Sequence, residues 1–342
     1  MSLPTAPMGK NGPQVNRIGF GLMGLSAFYG EIKPDNERLA ILDKAYEMGE
    51  RFWDSADMYG DNEDLLGKWF RLNPEKRNDI FLATKFANTR RGPDRTPVVD
   101  SSPEYCIEAC EKSLSRLGLP TIDLYYCHRL DRKTPIEKTV QAMVRLKNEG
   151  KIRYLGLSEC SSESLRCAHK VHPITAVQVE YSPFALEIES QQIDLLRTCR
   201  ELGVAVVAYS PLGRGMFTGT LRSPDDFEPG DFRSFAPRFS KENFPKNLRL
   251  VDQLTDIAKQ KSVTPSQLVL AWLMAQGQDI FPIPGTTKVD RLKENLGSLS
   301  VKLTDEEEKK IRKYCEAAEV AGSRYPENFM YACYADTPPL NA

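Results

Sequence analysis

Short β-rich runs and amphipathic helical stretches alternate along most of the chain. Strands are expected at 17–20, 51–54, 80–84, 122–126, 152–156, 176–179, 204–208 and 279–282. Helical patterns fall at 36–48, 61–70, 103–117, 135–149, 162–169, 191–202, 248–276 with a break near Thr264, 288–297 and 304–318. Alternation of this kind joins parallel strands through helical crossovers. A series of eight units with no break in composition predicts a closed (β/α)8 TIM barrel, with 1–342 as one domain. The rival is an open doubly wound sheet. Gly19-Phe20-Gly21-Leu22-Met23-Gly24 matches the spacing of its phosphate turn, but residues 27–34 read as loop where that turn should open a helix.

Local chemistry marks the boundaries. Gly49, Gly118, Gly150 and Gly203 each follow a helical pattern, where a left-handed stop favours glycine. Ser162 is expected to cap its helix, Pro135 to take a first helical position after Thr134, and Thr304 to open an acidic first turn. Three connections are long: 86–102, 212–246 and 320–342. Phe217, Phe227, Phe232, Phe235, Phe239, Phe244, Tyr325, Phe329, Tyr331 and Tyr334 predict that they are ordered coverings at the C-terminal face, with the last forming a C-terminal tail.

The 46 Lys+Arg against 47 Asp+Glu leave no broad basic field for nucleic acid or anionic lipid. No apolar run reaches the ~18 residues of a spanning helix. Residues 1–16 lack the apolar core of a secretory signal. The 8 Cys are scattered, with neither a CxxC pair nor a zinc-ligand spacing. These features predict a cytoplasmic protein with reduced thiols, no metal, and no membrane or nucleic-acid partner.

In a parallel barrel, reactive groups gather at the C-terminal ends of strands. Here those ends carry Asp54 with Tyr59 in the following loop, then Lys85, His128, Ser158-Glu159, Gln178 and Tyr209-Ser210-Pro211-Leu212-Gly213. Each alone has an ordinary structural explanation as a cap, an ion pair or a core aromatic. Together, a phenol, an ammonium, a carboxylate and an imidazole suit protonation of a carbonyl oxygen. A tyrosine titrates near ~10 and needs a nearby cation to give up its proton readily. Lys85 would supply that cation, Asp54 would orient Lys85, and His128 would polarise the carbonyl.

The segment Phe52-Trp53-Asp54-Ser55-Ala56-Asp57-Met58-Tyr59-Gly60 resembles the first signature of the aldo-keto reductases. It is followed in order by the Lys85 strand, His128-Arg129 and the Tyr209–Gly213 stretch, so the resemblance runs from about residue 15 to 297. It implies that Asp54, Tyr59, Lys85 and His128 are a catalytic tetrad and that NADPH/NADP+ lies extended across the barrel mouth. Microbial, especially fungal, members of the pyridoxal-reductase-like kind are the nearest in character, through the segment beginning Gly322-Ser323-Arg324-Tyr325.

The same resemblance implies the cofactor contacts. Tyr209 would stack under the nicotinamide, and Ser158 with Gln178 would hold its carboxamide. Leu212, Gly213, Arg214 and Gly215 would approach the pyrophosphate, and Gly21, Leu22, Met23, Asp54 and Ser210 are further cofactor contacts. Ile283, Gly285, Thr286, Thr287, Lys288 and Arg291 would hold the adenosine half and its 2′-phosphate, with Glu294 and Asn295 at the adenine amine. Met23, Phe28, Tyr59, Phe86, His128 and Arg129 are the candidate pocket residues for a small aldehyde or ketone.

Two positions depart from the family pattern. Glu159 stands where many members have Asn, and is expected to tune affinity for the oxidised ring. Met23 replaces a tryptophan and points to a roomier pocket. The expected protein is an NADPH-dependent carbonyl reductase, a monomer or weak homo-oligomer. The alternatives are an NADPH-binding, redox-sensing subunit of a larger assembly and, with least support, a metal-dependent barrel hydrolase.

Overall fold

The computed structural model describes residues 2–90, 94 and 96–340. Residues 1, 91–93, 95, 341 and 342, parts of the N-terminal segment and of the predicted loops 86–102 and 320–342, lie outside the described residues. The chain opens with an antiparallel hairpin, β1 (Thr5–Pro7) and β2 (Gln14–Asn16). Barrel strands β3 (Phe20–Gly21), β4 (Phe52–Asp54) and β5 (Phe81–Phe86) follow. A small hairpin, β6 (Asn88–Thr89) and β7 (Val98–Val99), then precedes β8 (Ile122–Cys127), β9 (Ile152–Ser158), β10 (Ala176–Glu180), β11 (Ala205–Tyr209) and β12 (Ile280–Pro282).

The eight barrel strands are parallel in the order β12-β11-β10-β9-β8-β5-β4-β3, and the two ends of that order meet. Gly19 N donates to Pro282 O at 2.9 Å, Gly21 N donates to Pro284 O at 3.3 Å, and a parallel bridge joins Gly21 to Gly285. This seam explains the glycines. A Cβ on Gly21 would lie 2.7 Å from Ile283 O, and one on Gly285 would lie 2.8 Å from Gly21 O. The apparent phosphate turn is therefore a closure device: after it comes only the short turn Met23–Leu25.

Helices sheathe the barrel: α1 (Asp35–Glu47), α2 (Asn62–Leu72), α3 (Pro103–Leu117), α4 (Ile136–Asn148), α5 (Ser162–Val171), α6 (Leu195–Leu202), α7 (Phe244–Gln260), α8 (Pro265–Ala275), α9 (Val289–Gly297), α10 (Asp305–Ala317) and α11 (Glu327–Met330). The break expected near Thr264 is a helix start: Thr264 and Gln267 form a reciprocal capping box, as do Thr304 and Glu307. The expected left-handed glycines are present, with φ of 89° at Gly49, 63° at Gly118, 76° at Gly150 and 70° at Gly203. Two caps shift by one residue. Ser161, not Ser162, accepts from Ser164 N at 3.0 Å, and Pro135 occupies the cap position itself, ahead of Ile136.

Apolar residues split into two layers by the twofold alternation of strands. Outward side chains such as Trp53, Tyr125, Cys127 and Val177 pack under the helices, in the larger core. Inward ones, including Phe52, Ala83, Leu124, Tyr126, Ala205 and Phe281, fill the barrel, and Ala6, Met8 and Val15 of the N-terminal hairpin segment pack against them. The loop 212–246 forms short turns at Gly213–Thr218, Pro224–Asp226, Phe232–Phe235 and Pro237–Phe239. Phe217, Phe239 and Phe244 are buried as expected of a covering, whereas Phe235, Phe329 and Tyr331 are exposed. Among the described residues no helix is long and apolar enough to cross a membrane. All eight cysteines are free, seven of them buried.

Candidate active site

Five barrel strands carry their inward columns upward to a polar residue. Phe52 leads to Asp54, Ala83 to Lys85, Leu124 and Tyr126 to His128, Ala176 and Gln178 to Glu180, and Ala205 with Val207 to Tyr209. Gly156 makes room for this arrangement, because a Cβ there would lie 2.4 Å from the Tyr126 ring. With Ser158 at the end of β9, the top layer collects side chains from six strands at one mouth.

The four residues expected to act together are adjacent. The Lys85 ammonium is hydrogen-bonded to the Asp54 carboxylate and donates to Ser55 O at 2.7 Å. Gln178 Nε2 donates to the other Asp54 oxygen at 2.8 Å. Lys85 Nζ lies 5.2 Å from the centre of the Tyr59 ring, and the Tyr59 and His128 rings meet edge to face at 6.0 Å. Lys85 and Asp54 keep 0% and 2% of their surface exposed, against 8% for Tyr59 and 7% for His128. The ion pair therefore lies behind, and the phenol and imidazole face the mouth.

Electrostatics refine the expected roles. Burial, and then the Asp54 charge, lift Tyr59 well above the usual tyrosine range, while the Arg129 guanidinium pulls it back. Lys85 is paired with Asp54, and among the charges acting on Tyr59 it is Arg129 that favours the ionised form. Burial, reinforced by Arg129 and Lys85, holds His128 well below the usual histidine range, so the imidazole is neutral. Its Nδ1 is buried and has no hydrogen-bond partner among the described residues. Burial likewise lowers Lys85 and raises Asp54, each opposed by the attraction of the other.

The opposite side of the mouth holds a second buried ionic cluster. Glu159 accepts from Arg324 Nη1 at 2.9 Å and Nη2 at 2.7 Å, from Tyr209 OH at 2.8 Å and from Glu180 N at 3.2 Å. Both of its oxygens are thereby engaged, so the charge expected to tune the oxidised ring is a paired one. Glu180 faces Arg238 at 2.9 Å, Arg214 at 3.5 Å and Arg324 at 3.6 Å. Arg129 donates to His128 O at 2.7 Å and to Ser158 Oγ at 3.2 Å, bridging the two sides.

The residues expected around an extended dinucleotide divide into three groups. Ser158 and Gln178 are buried at strand ends with Tyr209 half-buried beside them, a donor and acceptor set that fits an amide-bearing ring. Thr287 and Lys288 are exposed where α9 begins, and Thr286 Oγ1 accepts from Lys288 N at 3.1 Å, which fits a phosphate. Ser210, Gly213 and Gly215 hold φ of 50°, 55° and 96°, so the backbone there turns sharply, with Leu212 half-buried.

The rest are committed elsewhere. The Arg214 guanidinium is turned inward onto Glu180, Arg324 O and the Tyr325 ring, so only its backbone is left for a pyrophosphate. Glu294 accepts from Arg291 at 2.7 Å, and Asn295 is buried. Leu22 and Ile283 are buried scaffold, and Gly21 and Gly285 form the seam. Phe86 leaves the substrate pocket altogether. One residue beyond inward Lys85 it points outward, fully buried and stacked on Tyr125 at 5.0 Å. Met23 is half-buried, and Phe28 sits at the rim, 37% exposed and 6.2 Å from Phe232.

Three charged residues of the mouth were not singled out in the sequence as site residues, Glu180, Arg238 and Arg324, whereas Tyr325 was expected there only as a covering aromatic. Glu180 was legible, since it continues the twofold column of Ala176 and Gln178. The others lie in connections with no periodicity to place them.

The family model described as the aldo/keto reductase family matches residues 17–316. Aldo-keto reductase str7 of Strobilurus tenacellus is 52% identical, with 99% of each chain covered. Aldo-keto reductase yakc [NADP(+)] of Schizosaccharomyces pombe is 49% identical, again over 99% of each. Probable aldo-keto reductase 1 of Glycine max is 42% identical over 98% of this chain and 96% of its own. Among solved structures, the glycerol dehydrogenase AKR11B4 of Gluconobacter oxydans superposes with a TM-score of 0.82 at 28% identity, over 94% of this chain and 98% of that one. The thermostable aldo-keto reductase Tm1743 bound to epalrestat gives 0.74 at 28% identity, over 91% and 100%.

Proposed function

The chain belongs to the aldo/keto reductase family, and from that premise we propose that it reduces an aldehyde or ketone to an alcohol with Tyr59 as the general acid. It is an NADP-dependent oxidoreductase, in keeping with its Schizosaccharomyces pombe relative. The observation that carries the reading is the edge-to-face meeting of the Tyr59 and His128 rings beside the buried Lys85–Asp54 pair, the two rings keeping a little more exposed surface than the pair behind them.

NADPH, when bound, supplies the hydride. Ser158 and Gln178 hold its carboxamide, Tyr209 supports the ring, and Thr286, Thr287 and Lys288 receive the adenosine phosphate. His128 donates an N–H to the carbonyl oxygen and fixes its direction. Tyr59 gives its proton to that oxygen as negative charge develops there. The buried Arg129 charge, which already favours release of the Tyr59 proton, stabilises the anion that forms. Asp54 anchors Lys85 beneath the phenol and keeps the donor in place.

Met23, Phe28 and Arg129 border the substrate space, which suits aromatic or aliphatic aldehydes, pyridoxal, or ketones of secondary metabolism. The catalytic barrel acts as one unit, and eight free thiols accord with a reducing, cytoplasmic setting. The test follows NADPH absorbance with the purified protein and a panel of pyridoxal, nitrobenzaldehyde and short ketones. Loss of absorbance with stoichiometric alcohol is expected. Tight NADPH binding without turnover of any carbonyl would sink the reductase reading and leave a binding subunit.

A further inference from the structure

Residues 317–342 lie beyond the family match, yet they deliver a buried cation to the mouth. We propose that Arg324 is a positioning residue which, through Glu159, fixes the Tyr209 phenol and so completes the platform for the nicotinamide ring. The inference rests on the reductase reading and deepens it.

The geometry is closed on every side. The Tyr209 oxygen donates to Glu159 at 2.8 Å and accepts from Arg324 Nη1 at 3.3 Å, so the phenol is gripped from two directions. Arg324 in turn holds both Glu159 oxygens in a forked pair, the arrangement with the greatest directional control that a guanidinium provides. The tail is fixed at each end of this contact. Arg324 O accepts from Arg214 at 2.8 Å and Ser323 O accepts from Arg238 N at 3.2 Å. Farther on, Ala335 N donates to Glu159 O at 2.9 Å and Ser161 N donates to Ala335 O at 3.0 Å. The Tyr325 hydroxyl approaches that of Tyr209 at 3.2 Å.

Stability does not account for this construction. A fully buried ion pair loses in desolvation about what it gains in attraction, and well-packed apolar residues often serve the fold better. What the pair uniquely supplies is orientation. It also cancels the Glu159 charge beside the ring, where a bare carboxylate would favour the cationic oxidised form of the cofactor. Glu159 itself holds a φ of 52°, a left-handed backbone that glycine would adopt more cheaply.

The test compares wild type with Arg324→Lys, Tyr209→Phe and the double variant Arg324→Met/Glu159→Gln. Three quantities are measured: the NADPH dissociation constant by fluorescence titration, kcat against KM with one aldehyde, and the thermal midpoint. The double variant removes both members of the pair and leaves Glu180 its Arg238 and Arg214 partners, while Arg129 loses the Glu159 charge. The midpoint is therefore read beside the binding constant to separate a loosened fold from a lost platform. NADPH binding is expected to weaken by roughly tenfold, as loss of one charge-assisted hydrogen bond predicts. Tyr209→Phe, which leaves the ion pair intact, gives a smaller loss in the same constant, and Arg324→Lys recovers part of the binding that the double variant loses. Wild-type NADPH affinity and kcat in the double variant, or wild-type affinity in Tyr209→Phe, overturns the proposal. If the wild type reduces no aldehyde, the reductase reading fails while the titration still reads the platform. If aldehydes are reduced and the titration does not move, the platform alone fails.

Discussion

The two sides of the barrel mouth bury charge in different ways. On one, Asp54, Lys85, Tyr59 and His128 come from three neighbouring strands and one short loop, and a single ion pair stands behind two uncharged groups. On the other, Glu159 and Glu180 stand at strand ends but meet arginines from the 212–246 loop and the tail. The first side keeps its reactive groups open to the mouth. The second turns its charges on one another and leaves none of the carboxylate oxygens of Glu159 free. A barrel can therefore present chemistry and rigidity from the same layer of residues, according to whether a strand-end group finds a partner from a covering loop.

Four experiments bear on this division. The largest effect belongs to Tyr59→Phe: kcat should fall by about 10²–10⁴-fold while the NADPH dissociation constant stays unchanged, because only the donated proton is removed. Equal losses in both would dissolve the separation between the two sides. Lys85→Met comes next. It strands Asp54 in a buried site, so urea unfolding should register a loss of about 3–5 kcal/mol, and Asp54→Asn in the same chain should restore part of it.

The third contrast is in pH. Tyr59 is raised, so its proton is held through neutrality; reduction should fade only on the alkaline side, as pH climbs toward the Tyr59 range. Glu159 and Glu180 move the opposite way. Burial is the largest influence on each and raises it, but the arginines outweigh burial and hold both below the usual glutamate value. A depressed carboxylate contributes stability that is fully present above its unfolded value and is lost as pH falls through the folded one. Acidification below the ordinary glutamate range should thus release residues 320–337 first, seen as faster amide hydrogen exchange there than in β4 and β5. Uniform exchange across both regions would count against the contrast. Smallest is Thr304→Ala, which removes a capping box remote from both sides; it should cost about 1 kcal/mol in thermal unfolding and leave kcat and NADPH affinity untouched.

These two sides were also unequally legible. Asp54, Lys85 and His128 fall at strand ends, where a twofold alternation fixes which residues face inward, and Tyr59 follows within one short loop. Phe86 was expected in the pocket without use of that rule, which would have turned it away, since a single step past Lys85 reverses the face. Applied only as far as Gln178, the rule missed Glu180. Arg324 could not have been placed at all: it pairs with a residue 165 positions away, and no local pattern records such a meeting. Closure of the barrel was expected from the number of units, but the glycines that permit it were legible only as an ambiguous motif. Their meaning depends on Ile283 and Pro284, far along the chain, pressing against β3.

That seam has a consequence for how the molecule is born. Strand β3 is among the first parts of the barrel to leave the ribosome, and its partner β12 is the last strand to follow. Until residue 285 emerges, the outer edge of β3 has no strand to pair with. Sealing it is the contact of longest reach in the barrel, and such contacts form slowly. A side chain at Gly21 or Gly285 would obstruct that last step more than any earlier one, so its first symptom should be aggregation of newborn chains.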